Sequence, residues 1–197
     1  MSNCSNSLPV YLGNQFLTIS SFVLIKFKFF CLNLYVYFIE IMQKLNLPTY
    51  DLSIKFEAQN KYIFDILRKK YLVLTPEEWV RQNFVHFLIN EKKFPQSLMN
   101  TEIGMKIFNT QKRSDIVVYS KNGNPVAVVE CKATDVKITQ QTFNQIARYN
   151  IKLKAQILIV TNGLTHYCVR YNKATNKYEF LHEIPFYSQI IKNEDNQ

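Results

Sequence analysis

A chain of 197 residues with 47% hydrophobic side chains suits one domain, at most one and a half, with a real core. Lys and Arg number 24 against 15 Asp and Glu, a net charge of +9; that favours a polyanionic partner, nucleic acid or an acidic membrane face, although translation of AT-rich DNA also inflates lysine. Cys4, Cys31, Cys131 and Cys168 fit neither a zinc pattern nor a small disulfide framework, and His86, His166 and His182 lack metal-ligand spacing. Gly13, Gly104, Gly123 and Gly163 build no phosphate loop, which excludes P-loop ATP hydrolysis on this chain.

Residues 1–41 read differently from the rest. Phe16 to Ile39 is rich in Phe, Leu, Ile, Val and Tyr, with Lys26 and Lys28 in its middle. Two central lysines are expensive in a bilayer span. A secretory signal would need early positive charge, and residues 1–15 hold no Lys or Arg. The composition also matches translated AT-rich DNA. The expectation is that the functional protein begins at Met42, which the intact mass of natively expressed protein checks; a small membrane-tethered protein is the rival reading of this stretch.

From Leu45 to Leu74 the pattern is mixed. A strand is favoured over Lys61–Ile66, followed by Arg68, Lys69 and Lys70 as an exposed basic cluster. Thr75-Pro-Glu-Glu78 starts a helix, with Thr75 at the N-cap, Pro76 in the first turn and Glu78 closing a capping box. The helix runs to about Asn90, and Val80, Phe84, Phe87 and Leu88 form its apolar stripe. Glu77 projects near the middle of that stripe and Glu78 toward its edge. A core-facing glutamate needs a partner: Arg81, one turn on, supplies one as an i,i+4 pair, or Glu77 turns to a metal site. Both readings stand.

Asn90 to Asn100 reads as a polar loop, and Thr101–Phe108 as a strand with Glu102 facing solvent or the edge of a site. A basic loop with Lys112 and Arg113 follows. Then two apolar runs, Arg113–Tyr119 and Pro125–Lys132, flank Lys121-Asn-Gly-Asn124, a strong hairpin signal. With Asn122 and Gly123 as the two turn residues, Tyr119 faces Val126, Val117 faces Val128, and Asp115 faces Glu130. Alternation puts Lys132 on the face of Glu130. Like charges directly opposite, with Cβ atoms about 5 Å apart, destabilise a sheet. A divalent cation between them reverses the sign, and hard carboxylate oxygens suit magnesium or manganese. Lys132 would then hold a phosphate oxygen or orient a water. The plain alternative is a salt bridge between Lys132 and one acid.

After Lys132 a polar connection leads to a helix from about Thr139 to Leu153, with Gln141, Gln145 and Arg148 or Tyr149 on one face and Phe143, Ile146 and Ala147 toward another. As a crossover it brings Gln145 near the acids and lysine; a solvated polar face is the alternative. Ala155–Thr161 is a strand buried on both faces, Asn162-Gly163 a tight turn, and Thr165–Tyr171 and Lys177–Leu181 are further strands. Ser188–Gln197 reads as a polar, frayed tail.

In order, these blocks resemble the PD-(D/E)XK nuclease superfamily. Arg113-Ser-Asp115 stands where that pattern has Pro-Asp, Glu130-Cys-Lys132 where it has (D/E)-x-K, and Gln145-Ile-Ala-Arg-Tyr149 is similar to its Q-x-x-x-Y element. More narrowly, Thr75-Pro-Glu-Glu-Trp-Val-Arg-Gln82, Val129-Glu-Cys-Lys132, Gln145–Tyr149 and Val160-Thr-Asn-Gly163 resemble the N-terminal domain of type I restriction enzyme R subunits, over roughly residues 45–185. Ser114 replaces a proline, and the helicase motor of full R subunits is absent from this chain.

The resemblance implies an α/β fold, a restriction-endonuclease-like mixed β-sheet with flanking helices, over residues 42–187. It implies a magnesium- or manganese-dependent DNA endonuclease domain in the cytoplasm, with restriction-system subunits as partners. Asp115, Glu130 and the main-chain carbonyl of Cys131 would hold the metal. Lys132 would position the water and stabilise the transition state, Gln145 would orient Lys132 or DNA, and Glu77, less readily Glu78, would complete the site. Lys112, Arg113, Arg148 and Tyr149 would contact nucleic acid. The rival is a non-catalytic DNA- or partner-binding module of the same fold.

Overall fold

The computed structural model describes residues 8–12, 15–19, 42–107, 110–172, 175 and 177–195, and within these omits the side chains of 8–12, 15–19, 102–107, 110–114, Tyr149 and 193–195. The chain divides into two compact units, Met1–Met42 and Gln43–Gln197. In the first, β1 (Leu8–Leu12) pairs antiparallel with β2 (Gln15–Ile19). The apolar stretch running on to Ile39 lies outside the described residues beyond Ile19. Among the described residues no helix is long and apolar enough to cross a membrane.

The second unit opens with a three-stranded antiparallel meander, β3 (Ile54–Glu57), β4 (Asn60–Asp65) and β5 (Lys70–Val73). The strand expected over Lys61–Ile66 is β4. The exposed cluster is only Lys69 and Lys70. Arg68 is instead drawn inward: its Nε donates to Thr101 Oγ1 at 2.7 Å and pairs with Asp65 at 3.1 Å. The cause is Asp65, wholly buried, which also accepts the N–H groups of Leu67 and Arg68; a buried carboxylate demands such company.

Helix α1 spans Pro76–Asn90. Thr75 caps it, its side chain accepting the Glu78 N–H at 3.1 Å. The expected capping box stays half made, because the Glu78 carboxylate takes Arg81 and Gln82 instead. A short 3-10 turn, Gln96–Leu98, enters the long hairpin of β6 (Met99–Ile107) and β7 (Thr110–Tyr119). Lys112 and Arg113, expected in a loop, lie within β7, their backbones paired with Met105 and Gly104. Local polarity suggests a loop only where the backbone lacks a partner, and β6 supplies one.

β7 turns into β8 (Pro125–Cys131) through three residues, Lys121–Gly123, rather than two: Ser120 and Asn124 bracket the turn, and Gly123 takes φ +81°. Tyr119 therefore pairs with Pro125, not Val126, and the register then shifts by one residue so that Val118 pairs with Ala127 and Val117 with Val128. Helix α2 (Gln140–Leu153) carries the chain over to β9 (Ile157–Thr161), which lies parallel to β8. β10 (His166–Asn172) and β11 (Lys177–Leu181) return antiparallel. The mixed sheet runs β11-β10-β9-β8-β7-β6.

Side-chain alternation gives this sheet two buried faces. Ile116, Val118, Val129, Ile157 and Ile159 pack with Val80, Phe84 and Leu88 of α1; Val117, Val128, Leu158 and Val160 pack with Ile146 of α2. The frayed tail expected from Ser188 is instead helix α3 (Tyr187–Asp195). Ile190, at 1% exposure, joins the α1 core, and Tyr187 donates its hydroxyl to the Tyr119 carbonyl at 3.0 Å. Those tertiary contacts decide a segment too short and polar to persist alone.

Candidate active site

The site forms where β7 and β8 part. The last paired residues at this end are Ile116 and Val129. One step beyond, Asp115 and Glu130 come opposite each other. The Cys131 N–H, next along β8, donates to Asp115 Oδ2 at 2.6 Å. A side chain thus takes a donor that the strand pairing leaves open. Both acids are buried, Asp115 to 9% and Glu130 to 3% exposure.

Glu130 Oε1 accepts two hydrogen bonds. Lys132 Nζ donates at 2.7 Å, and Gln145 Nε2 reaches over from α2 at 2.6 Å. Glu130 Oε2 is buried and has no hydrogen-bond partner. Burial and the charge of Asp115 push the Glu130 carboxyl up to about 7, against the pull of Lys132. Burial also raises Asp115, despite Arg81 and the Cys131 N–H. Burial works against the Lys132 ammonium, but the hydrogen bond and charge of Glu130 outweigh it and raise its pKa. Lys132 is therefore an ammonium at neutral pH, a donor and a positive charge rather than a base.

Helix α1 contributes a second cation. Arg81 Nη2 donates to Asp115 Oδ1 at 2.9 Å and to Glu77 Oε1 at 3.1 Å, and Nη1 donates to Glu78. Gln82 Nε2 donates to Glu78 Oε1 at 2.8 Å. The pair Glu77–Arg81 that the helix spacing suggests is present, but Glu78 is the buried acid, and the Glu77 side chain is 44% exposed. Burial and Asp115 raise the Glu77 carboxyl as well. The contact of Arg81 with Asp115 escapes sequence reasoning, since 34 positions separate them. The available signal is Glu78-x-x-Arg81-Gln82: three polar groups on one helix face, all buried.

Residues 76–185 match the family model of the type I restriction enzyme R protein N terminus. The chain belongs to this family. It is similar to a fragment of a candidate HsdR subunit of a type I restriction enzyme from Vibrio vulnificus, at 19% identity and a TM-score of 0.47, over 61% of this chain and 25% of that one. It is also similar to a candidate nuclease belonging to DUF820 from Anabaena variabilis, at 16% identity and a TM-score of 0.39, over 70% of this chain and 88% of that one. The chain thus spans a quarter of the Vibrio fragment's length. No curated protein matches it.

In this family member Asp115, Glu130, Lys132 and Gln145 meet at one place, with Glu77 at its rim. The Cys131 side chain is fully buried in the α1 core; only its main chain adjoins the acids. Arg148 is exposed, one turn along α2 from Gln145. The side chains of Lys112, Arg113, Tyr149 and Glu102 lie outside the described residues; by backbone register Glu102 falls opposite Asp115, between the pairs Thr101–Ile116 and Ile103–Ser114. Among the described residues no group of three or more His, Cys, Asp or Glu side chains is placed to hold a metal ion. Two carboxylates remain, with one buried oxygen unspent. An all-oxygen donor set of this kind suits a hard cation.

Proposed function

We propose that this chain is a nuclease domain that hydrolyses DNA phosphodiester bonds with a bound magnesium or manganese ion. The observation that carries the reading is the unpartnered, buried Glu130 Oε2 beside Asp115, with Lys132 and Gln145 fixed on the other oxygen of the same carboxylate. A buried carboxylate oxygen without a donor is costly, and a cation ligand removes the cost.

Asp115, Glu130 and the Cys131 carbonyl would hold the ion. The ion supplies Lewis-acid polarisation of the phosphate and a lower pKa for its water. Gln145 donates to Glu130 Oε1 and leaves Oε2, which would be the oxygen offered to the ion. Lys132, kept protonated, places positive charge where a pentavalent phosphorus centre gathers negative charge. Arg148, one turn further along α2, and the net charge of +9 favour the DNA backbone without reading bases. Translocation and sequence choice would come from restriction-system partners, in the cytoplasm where DNA is met. Purified full-length chain should nick plasmid DNA with magnesium or manganese. Lys132→Ala should abolish the nicking at unchanged far-UV circular dichroism; equal rates in the two proteins would refute the site.

One observation favours a second reading, a DNA- or partner-binding module without catalysis. Both Asp115 oxygens already accept a donor, from Arg81 and from Cys131. Calorimetric titration with magnesium separates the two: heat that Asp115→Asn eliminates supports the nuclease, and none from wild type supports the module.

A further inference from the structure

We propose that Arg81 is the resident counter-cation of the acid cluster, and that a divalent cation binds by displacing it from Asp115. The inference rests on the metal-dependent reading above. It starts from which Asp115 oxygen is available. Oδ2 is committed to the Cys131 N–H within the strand backbone. Oδ1 is the oxygen left for a ligand, and Arg81 Nη2 occupies it.

The rest of the guanidinium is held by its own helix. Glu77 and Glu78, one turn back on α1, take Nη2 and Nη1. Release of Asp115 therefore costs Arg81 one of three carboxylate contacts and leaves it paired. Its Nε is buried without a partner. A guanidinium built only to staple α1 to β7 would spend its donors on β7; this one makes a single contact there and two at home. With Arg81 on Asp115 and Lys132 on Glu130, each acid facing the site carries its own cation. A divalent ion entering beside Arg81 meets like-charge repulsion at a few ångströms, enough to weaken binding roughly tenfold or more even at an effective dielectric near 20.

The test uses the full-length chain and manganese at pH 7.5, with free ion followed by electron paramagnetic resonance and no DNA present. Arg81→Gln removes the charge and should bind manganese about tenfold or more tightly than wild type. Arg81→Lys keeps the charge and should bind close to wild type. Equal or weaker binding by Arg81→Gln overturns the proposal and leaves the metal reading intact, since a merely structural arginine would loosen the site when lost. Absence of manganese binding in wild type and both variants overturns the metal reading and this proposal together. Should Arg81→Gln fail to fold, the wild-type guanidinium signals in 15N-arginine spectra decide: they should move with magnesium, Arg81 Nε–H exchanging faster as the ion saturates, and unmoved signals overturn the displacement.

Discussion

Glu130→Gln is the most direct probe of the buried acid. In the folded chain burial and Asp115 lift this carboxyl from 4.5 to about 7. Below the unfolded value both states hold the proton. As pH rises toward the folded value, the folded state keeps a proton that the unfolded chain has released, so unfolding becomes easier. The stabilisation is full below the unfolded value and is lost as pH rises through about 7. A shift of this size corresponds to about 3 kcal/mol, undiminished by solvent screening because Glu130 is 3% exposed. Asp115, also raised, acts in the same direction. Glutamine keeps a carbonyl for Lys132 and Gln145 to donate to, and it carries no proton to lose. The variant should therefore show a flatter pH profile and exceed wild type by up to about 3 kcal/mol at pH 8, with little difference at pH 4.5. Urea unfolding followed by Trp79, the single tryptophan and the neighbour of Glu78 on α1, measures both profiles. Parallel profiles, or a wild type that gains stability across this window, would refute the reasoning.

Two further substitutions test what positions the site. Gly163→Ala forces a side chain onto φ +81° with its Cβ 2.7 Å from Leu45 Cδ2; it should cost about 1–3 kcal/mol in the same unfolding measurement. Asn150→Ala removes a side chain that donates to the Ala155 carbonyl at 2.9 Å and accepts the Ala155 N–H at 2.7 Å, closing α2 onto β9; about 1–3 kcal/mol should be lost by unsatisfying a buried pair, seen as a lower urea midpoint.

The hairpin shows why part of the site was legible before the structure. The expected turn was wrong by one residue, yet Asp115 still comes opposite Glu130. Face burial dictates this register. Val117 and Val128 enter the α2 core while Ile116 and Val129 enter the α1 core, and a one-residue slip would send one strand's side chains to the opposite face, mismatching both cores. The longer turn moves the pairing by one, and the irregularity between Val118 and Tyr119 moves it back. The Asn-Gly signal between apolar runs carries the expectation, and the irregularity restores the pairing that a two-residue turn implies. Gln145 was legible for a related reason: a helix that crosses between parallel strands has one face over the sheet. What was not legible depends on distant parts of the chain. Arg81 advertises its helix neighbours through spacing, but nothing local names Asp115. Arg68 and α3 were missed likewise, because Asp65 draws in the one and the α1 core holds Ile190 of the other.

The charges of the cluster are best taken together. Asp115, Glu130, Glu77 and Glu78 are four carboxylates, and Arg81 and Lys132 are two cations in contact with them. Four minus two leaves two negative charges in a largely buried place when all six groups are ionised. Without a further ion, protons are the means of removing that excess. Asp115, Glu130 and Glu77 are all shifted upward, with burial the leading cause and neighbouring acids adding to it at Glu130 and Glu77. One divalent cation cancels the same excess without protons. Protonation and metal binding are thus competing solutions to a single electrostatic deficit, and acid should oppose the ion at this site. The two resident cations are not equivalent in that competition. Lys132 lies two residues from Glu130 in the chain and shares its acceptor oxygen with Gln145, leaving Oε2 open. Arg81 sits on Asp115 Oδ1, so on the proposed metal-dependent reading it is the cation that an entering ion would have to move.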